Sequence, residues 1–124
     1  MPRSVGTNNF QSLIESQIPE QTICIVAHSL GARVAYEGIK SWTASHYLLQ
    51  DVILLSGAVR RDSSKDWGYV ADKIKGSLIN VYNEDDPKLK KFFKLAEAGN
   101  ACGRKPIKEF HPKIKNEDAT FFLG

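Results

Sequence analysis

The amino-acid sequence predicts an α/β fold, a three-layer sandwich built on about four parallel strands. Short runs rich in Val, Ile and Leu, without alternation of apolar and polar residues, recur along the 124 residues. Such runs are typical of strands that are buried on both faces. Segments of helical periodicity separate these runs, and strands that alternate with helices form parallel sheets through right-handed crossovers.

Length and composition indicate one soluble globular domain. The chain is 42% hydrophobic and 25% charged, and its net charge of +3 does not indicate a nucleic-acid partner. We expect a soluble chain, since no segment has the apolar length of a signal peptide or membrane span. Cys24 and Cys102 lie far apart and lack metal-ligand spacing, which favours a reducing, cytoplasmic location and no metal.

The first half of the chain predicts a helix, a strand and a second helix. In residues 8–18, apolar side chains recur at spacings of three and four, until Pro19 interrupts the pattern. Residues 22–27 (TICIVA) form a β-branched run that predicts a buried strand. Residues 30–42 again place their apolar side chains on one helical face.

The second half continues the alternation. Strands are predicted at 51–56 (DVILLS), at 77–82 (SLINVY) and at 106–111 (PIKEFH), and helices at 65–75 and 88–98. The last of these helices is rich in lysine, and its apolar residues indicate a core-facing stripe with lysines in water. The order is therefore α-β-α-β-α-β-α-β, and the segment 112–124 carries no clear pattern.

Residues 27–31 (AHSLG) stand where the first strand runs directly into a helix. This is the setting of a nucleophile elbow, in which Ser29 takes a strained backbone conformation and its hydroxyl stands clear of the sheet. The flanking residues must be small, and here they are Ala27 and Gly31. The N–H of Leu30 is the natural oxyanion donor. The alternative is a buried serine that caps the helix.

The elbow, together with VILLSGAV and INVYNEDDPKL, resembles the α/β-hydrolase superfamily over roughly residues 8–98, and is similar to a poorly characterised branch with some membrane-associated members. The resemblance implies a serine hydrolase with Ser29 as nucleophile. The family's acid follows its strand, a position that Asp86 before Pro87 matches best, with Asp85 as second choice. The alternative is a solvated turn in which Asp86 caps the next helix.

The histidine is less well defined than the serine. His111 follows the acid, as the family's chain order requires, and is the candidate base. The alternative base is a histidine beyond Gly124, because the family histidine follows the last strand. His28 is expected to line the pocket, and His46 is expected at the surface.

The resemblance also implies that residues 1–124 are a single partial hydrolase domain with its elbow at 27–31. The strands that precede the elbow in the family, and that supply the second oxyanion donor, have no counterpart in residues 1–21. One edge of the first strand is then unpaired, which invites pairing with a second copy or another chain.

We therefore expect hydrolysis of a small or lipid-like ester, without a cofactor or metal. One alternative is a non-catalytic fragment or interaction module of the same fold. Another is an anion- or nucleic-acid-binding α/β domain that uses the lysine-rich helix.

Overall fold

The computed structural model describes residues 23–42, 49–62, 65–87, 89 and 101–123. Seven elements follow one another along the chain: β1 (Ile23–His28), α1 (Leu30–Lys40), β2 (Leu49–Leu55), α2 (Trp67–Asp72), β3 (Leu78–Tyr82), β4 (Ile114–Asp118) and α3 (Thr120–Leu123).

The four strands form one sheet in the order β1-β2-β3-β4, and every pair is parallel. The α/β prediction with about four parallel strands is confirmed. Because the strands are parallel and in register, with His28 opposite Leu55 and Tyr82 opposite Asp118, their C-terminal ends share one edge. We call this the carboxyl edge and the opposite one the amino edge.

The main core lies between one face of the sheet and helices α1 and α2. Trp67 and Tyr36 are completely buried, and their rings meet edge to face with centroids 4.8 Å apart. Leu54 and Leu78 contribute the sheet side of this core. Burial of each such side chain contributes about 1.5–3 kcal/mol, so this packing fixes α1 and the elbow at its start.

The other face of the sheet carries apolar side chains that the described residues leave partly open to solvent. Val26 of β1 is 63% exposed, and Ile53, Leu55 and Val81 on this face are half-buried. In the described part of the chain, β1 pairs with β2 alone, and no described strand lies along its outer edge. No helix among the described residues has both the length and the apolar character needed to cross a membrane.

The predicted fourth strand at 106–111 is wrong, since β4 is Ile114–Asp118. In the predicted segment, Ile107 is buried but its N–H donates to the side chain of Asn116, and Phe110 is 94% exposed. The real strand (IKNED) is polar because it is the outer strand of the described sheet, and four of its five residues are exposed. Charged residues are typical of such edges.

The other predicted strands lie within two residues of the observed ones. The predicted helix at 65–75 is shorter, because at Lys75 and Gly76 the backbone N–H groups already donate to carbonyls of β2. The predicted helix at 8–18 lies outside the described residues. Of the helix at 88–98 only Leu89 is described, and it is helical.

Candidate active site

Ser29 lies between the last residue of β1 and the first residue of α1, and its backbone has φ 56° and ψ −119°. A non-glycine residue with positive φ stores about 1–3 kcal/mol of strain, and such residues concentrate at functional sites. Ser29 occupies the N-cap position, but its side chain makes no capping hydrogen bond. The structure therefore lacks the bond that the helix-cap interpretation requires, and has the backbone strain that the elbow interpretation requires.

Two hydrogen bonds, one with the last residue of β2 and one with the chain that follows it, hold the turn at Ser29. The N–H of Ser29 donates to the carbonyl of Leu55 at 2.9 Å, and the N–H of Ala58 donates to the carbonyl of Ser29 at 3.0 Å. Between these two residues, Ser56 also has a positive φ of 49°. The chain after β2 therefore turns sharply, and so binds the Ser29 residue at both of its backbone groups.

Leu30 begins α1, so its N–H has no acceptor within the helix and is available as an oxyanion donor. Its side chain is 48% exposed beside Ser29. From the sequence we expect small residues on both sides of Ser29 for steric reasons. The structure supports that reason at Ala27 but not at Gly31. Ala27 is buried in the core, whereas a Cβ atom on Gly31 would meet nothing within 4 Å.

The acidic turn after β3 begins at Asn83, which is buried. Its side-chain carbonyl accepts the N–H of Asp85 at 3.0 Å, and its backbone carbonyl accepts the N–H of Asp86 at 3.2 Å. This turn folds back on itself, so that Asp86 is 9% exposed, whereas Glu84 and Asp85 are exposed.

Asp86 caps the following helix, since its Oδ1 accepts the N–H of Leu89 at 3.0 Å. The capping interpretation of this residue is therefore correct. A carboxylate has two oxygens with room for several hydrogen bonds, and a cap at Oδ1 fixes the orientation of the group. Among the three consecutive carboxylates, Asp86 has the burial that a triad acid needs.

The elbow and the acidic turn lie at the same edge, joined through Gly103. The N–H of Gly103 donates to the carbonyl of Gly57 at 3.0 Å, and its carbonyl accepts the N–H of Asn83 at 2.8 Å. The structure thus places Ser29, Leu30 and Asp86 at the carboxyl edge, as the sequence predicts for strands of a parallel sheet.

The structure does not bring His111 to Ser29. His111 Nε2 lies 2.8 Å from Asp72 Oδ1, at the end of α2, and its Nδ1 accepts the N–H of Lys113 at 3.1 Å. The carbonyl of Lys113 accepts the N–H of Leu78 at the start of β3. His111 therefore lies at the amino edge, and five strand residues separate the two edges by roughly 16 Å.

The other two histidines add no base near the acid in the described residues. His28 is exposed on the face of the sheet that α1 does not cover. His46 lies outside the described residues. Within the described part of the chain, no group of three or more His, Cys, Asp or Glu side chains could hold a metal ion.

Sequence reasoning missed Asp118 and Thr120, which complete the carboxyl edge after β4. The Thr120 hydroxyl accepts the N–H of Glu84 at 2.9 Å, and its backbone N–H donates to Asp118 Oδ1 at 2.9 Å. Hydrogen bonds from the Thr120 side chain and backbone lower the pKa of Asp118. The spacing Asp-Ala-Thr, typical of an Asx turn, is the sequence signal that could have identified them.

Comparisons with known proteins extend over nearly the whole chain. A family model described as "Protein of unknown function (DUF726)" matches residues 2–123. A Caenorhabditis elegans protein named "Uncharacterized membrane protein F35D11.3" is 31% identical over 97 residues, which cover 76% of this chain and 16% of that protein. The chain thus spans less than a fifth of this relative's length. No solved structure matches.

Proposed function

The chain belongs to the family described as "Protein of unknown function (DUF726)", and we propose that its domain has the α/β-hydrolase fold and is a serine hydrolase acting on esters. The observation that carries the proposal is the backbone of Ser29, a non-glycine residue held at φ 56° between a parallel strand and a helix without capping that helix. Strain at such a residue is retained where it serves function.

In the first step, Ser29 Oγ attacks the ester carbonyl carbon, and the π electron pair moves onto the carbonyl oxygen. The N–H of Leu30, at the N-terminus of α1, donates to this oxyanion. The serine proton passes to an imidazole base. The bond to the leaving alcohol then breaks, and the alcohol takes that proton. Water attacks the acyl-enzyme in the same way, with the base accepting its proton, and releases the acid.

Asp86 is the acid of this proposal, with Asp85 as the alternative, since Asp86 is buried and oriented by its hydrogen bond with Leu89. The imidazole of this proposal follows β4, on chain beyond Gly124, rather than being His111. Two observations support that choice: His111 pairs with Asp72 at the amino edge, and Asp118 and Thr120 bring the chain after β4 to the carboxyl edge.

We propose that this domain works in the cytoplasm, with Cys24 and Cys102 as free thiols.

The test is hydrolysis of p-nitrophenyl acetate and butyrate by the full-length polypeptide that carries residues 1–124. Ser29→Ala is expected to abolish turnover while the protein stays folded. Ser77→Ala is the matched control, because the hydrogen bonds of Ser77 with Asp51 and Val52 use only its backbone atoms. Turnover that survives Ser29→Ala would contradict the assignment of Ser29.

The second candidate is a non-catalytic interaction module, and the outer edge of β1 favours it. This strand has a partner on one side only in the described chain, and its Val26 is 63% exposed. Such an edge pairs readily with a second copy or another chain. Light scattering separates the candidates: a dimer that Val26→Lys converts to monomer, combined with no ester hydrolysis, supports the module.

A further inference from the structure

Three residues from two segments that are far apart in sequence lie between the elbow and the acidic turn. Gly57 follows β2, while Cys102 and its neighbour Gly103 belong to a segment that begins about 45 residues further on, and Cys102 is completely buried. The Cys102 thiol lies 3.7 Å from the carbonyl of Gly57, and the Cys102 N–H donates to Val59 at 2.8 Å. This contact leaves no room for a larger residue.

Glycine is required at positions 57 and 103 because neighbouring atoms lie too close for a side chain. The backbone angles do not require it, since neither glycine has a positive φ. A Cβ on Gly57 would lie 2.8 Å from Cys102 Sγ and 3.3 Å from Ala32 Cβ. A Cβ on Gly103 would lie 2.5 Å from the backbone nitrogen of Gly57. Ordinary contacts of a Cβ atom are 3.4–4 Å, so a methyl group needs at least about 0.6 Å more room at Gly57 and about 0.9 Å more room at Gly103, and the two segments must move apart.

The two segments that carry these three residues are hydrogen-bonded to the two halves of the candidate site. On one side, Ala58 next to Gly57 donates to the carbonyl of Ser29 at 3.0 Å. On the other side, Gly103 accepts the N–H of Asn83, whose carbonyl and side chain hold Asp86 and Asp85. A displacement at Gly57 or Gly103 is therefore transmitted to the serine through one hydrogen bond and to the acidic turn through another.

We propose that Gly57, Cys102 and Gly103 form a spacer that sets the separation of the nucleophile from the acid, and that they are positioning residues. This inference rests on the proposed hydrolysis at Ser29. In this proposal Cys102 acts through the volume of its side chain. Burial raises the pKa of its thiol to about 12, so the sulfur is a neutral packing group at physiological pH. A misplacement of about 1 Å in a catalytic arrangement costs about 10²-fold in rate.

The experiment measures the second-order rate constant for labelling by a biotinylated alkyl fluorophosphonate, from pH 6 to pH 9, on the full-length polypeptide. Gly57→Ala and Gly103→Ala are expected to reduce the rate constant about 10²-fold and to change its pH profile. Because the Gly57 methyl collides with the sulfur of Cys102, the double variant Gly57→Ala/Cys102→Ala is expected to recover to within about threefold of Cys102→Ala alone. Gly68→Ala, whose methyl meets the flexible carboxylate of Glu109, is the matched control.

The possible outcomes distinguish a failure of the spacer proposal from a failure of the proposed hydrolysis at Ser29. If the wild type is labelled normally and the folded glycine variants are labelled at the same rate, the spacer proposal alone is overturned. A wild type that does not label would overturn the proposed function and the inference with it. Amide chemical shifts give a second readout: in Gly57→Ala the signals of Ala58 and Asn83 should both move, and a change that stops short of Asn83 would contradict the link.

Discussion

Replacement of Asp86 by asparagine separates its two roles, because asparagine caps a helix about as well as aspartate but carries no charge. In the structure Oδ1 of Asp86 accepts the N–H of Leu89 at 3.0 Å, and the residue is 9% exposed. Asp86→Asn retains an oxygen at this position. We therefore expect its free energy of unfolding to fall by less than about 1 kcal/mol, the worth of a charge near a helix N-terminus.

In the proposed triad, the same substitution removes the charge that orients and stabilises the imidazolium, and the comparable change in a well-studied triad lowers turnover by about 10⁴. Asp86→Ala removes the cap as well. It leaves the N–H of Leu89 without this acceptor, which costs about 1–3 kcal/mol because Leu89 is buried. The three-way contrast between wild type, Asp86→Asn and Asp86→Ala therefore separates catalysis from stability.

The assay combines urea unfolding, followed by circular dichroism, with turnover of p-nitrophenyl butyrate. Asp85→Asn is the matched control, since Asp85 is exposed one residue earlier in the same turn. Wild-type turnover in Asp86→Asn, together with loss of turnover in Asp85→Asn, would transfer the acid to Asp85. Wild-type turnover in both variants would show that neither Asp85 nor Asp86 is the catalytic acid.

Three further predictions follow from single residues. Ser29→Gly should abolish turnover yet raise the free energy of unfolding, measured in urea, by about 1 kcal/mol. Glycine relieves the backbone strain at φ 56°, and this gain exceeds the entropy that glycine costs on folding. Burial raises the pKa of Tyr36 to about 12, so the unfolded chain loses that proton near the ordinary pKa of 10 while the folded chain retains it. Stability should fall from pH 10 to pH 12, by at most about 2.7 kcal/mol, and this component should be absent from urea titrations of Tyr36→Phe. In a thiol assay at pH 8, exposed Cys24 should react in the native protein and buried Cys102 only after denaturation, and reaction of both in the native state would contradict the packing of Cys102.

The fold class and the strained turn at Ser29 could be predicted because their signals are local. The run TICIVA is apolar without alternation, and Ser29 follows it within two residues. β4 could not be predicted in the same way. As the outer strand of the described sheet it buries little, so IKNED carries no hydrophobic pattern, and its place is fixed by the hydrogen bond between Asn80 and Asn116, 36 residues apart.

The carboxyl edge was predictable where it depends on strand order and not where it depends on loops. Asp86 follows a strand that the sequence identifies, so its edge was predictable. His111 was expected after a strand and instead precedes one, which puts it at the amino edge with Asp72. The contacts of Gly57 with Cys102 and Gly103 join segments that no local pattern connects.

Ser29 is an activated nucleophile in the proposed mechanism, and peptide mapping of the fluorophosphonate adduct identifies the residue that reacts. The full-length polypeptide is labelled to completion, digested and sequenced by mass spectrometry. We expect one phosphonate per chain, with the new O–P bond on Ser29 and fluoride released. An adduct on another residue, or no adduct on folded protein, would contradict this expectation.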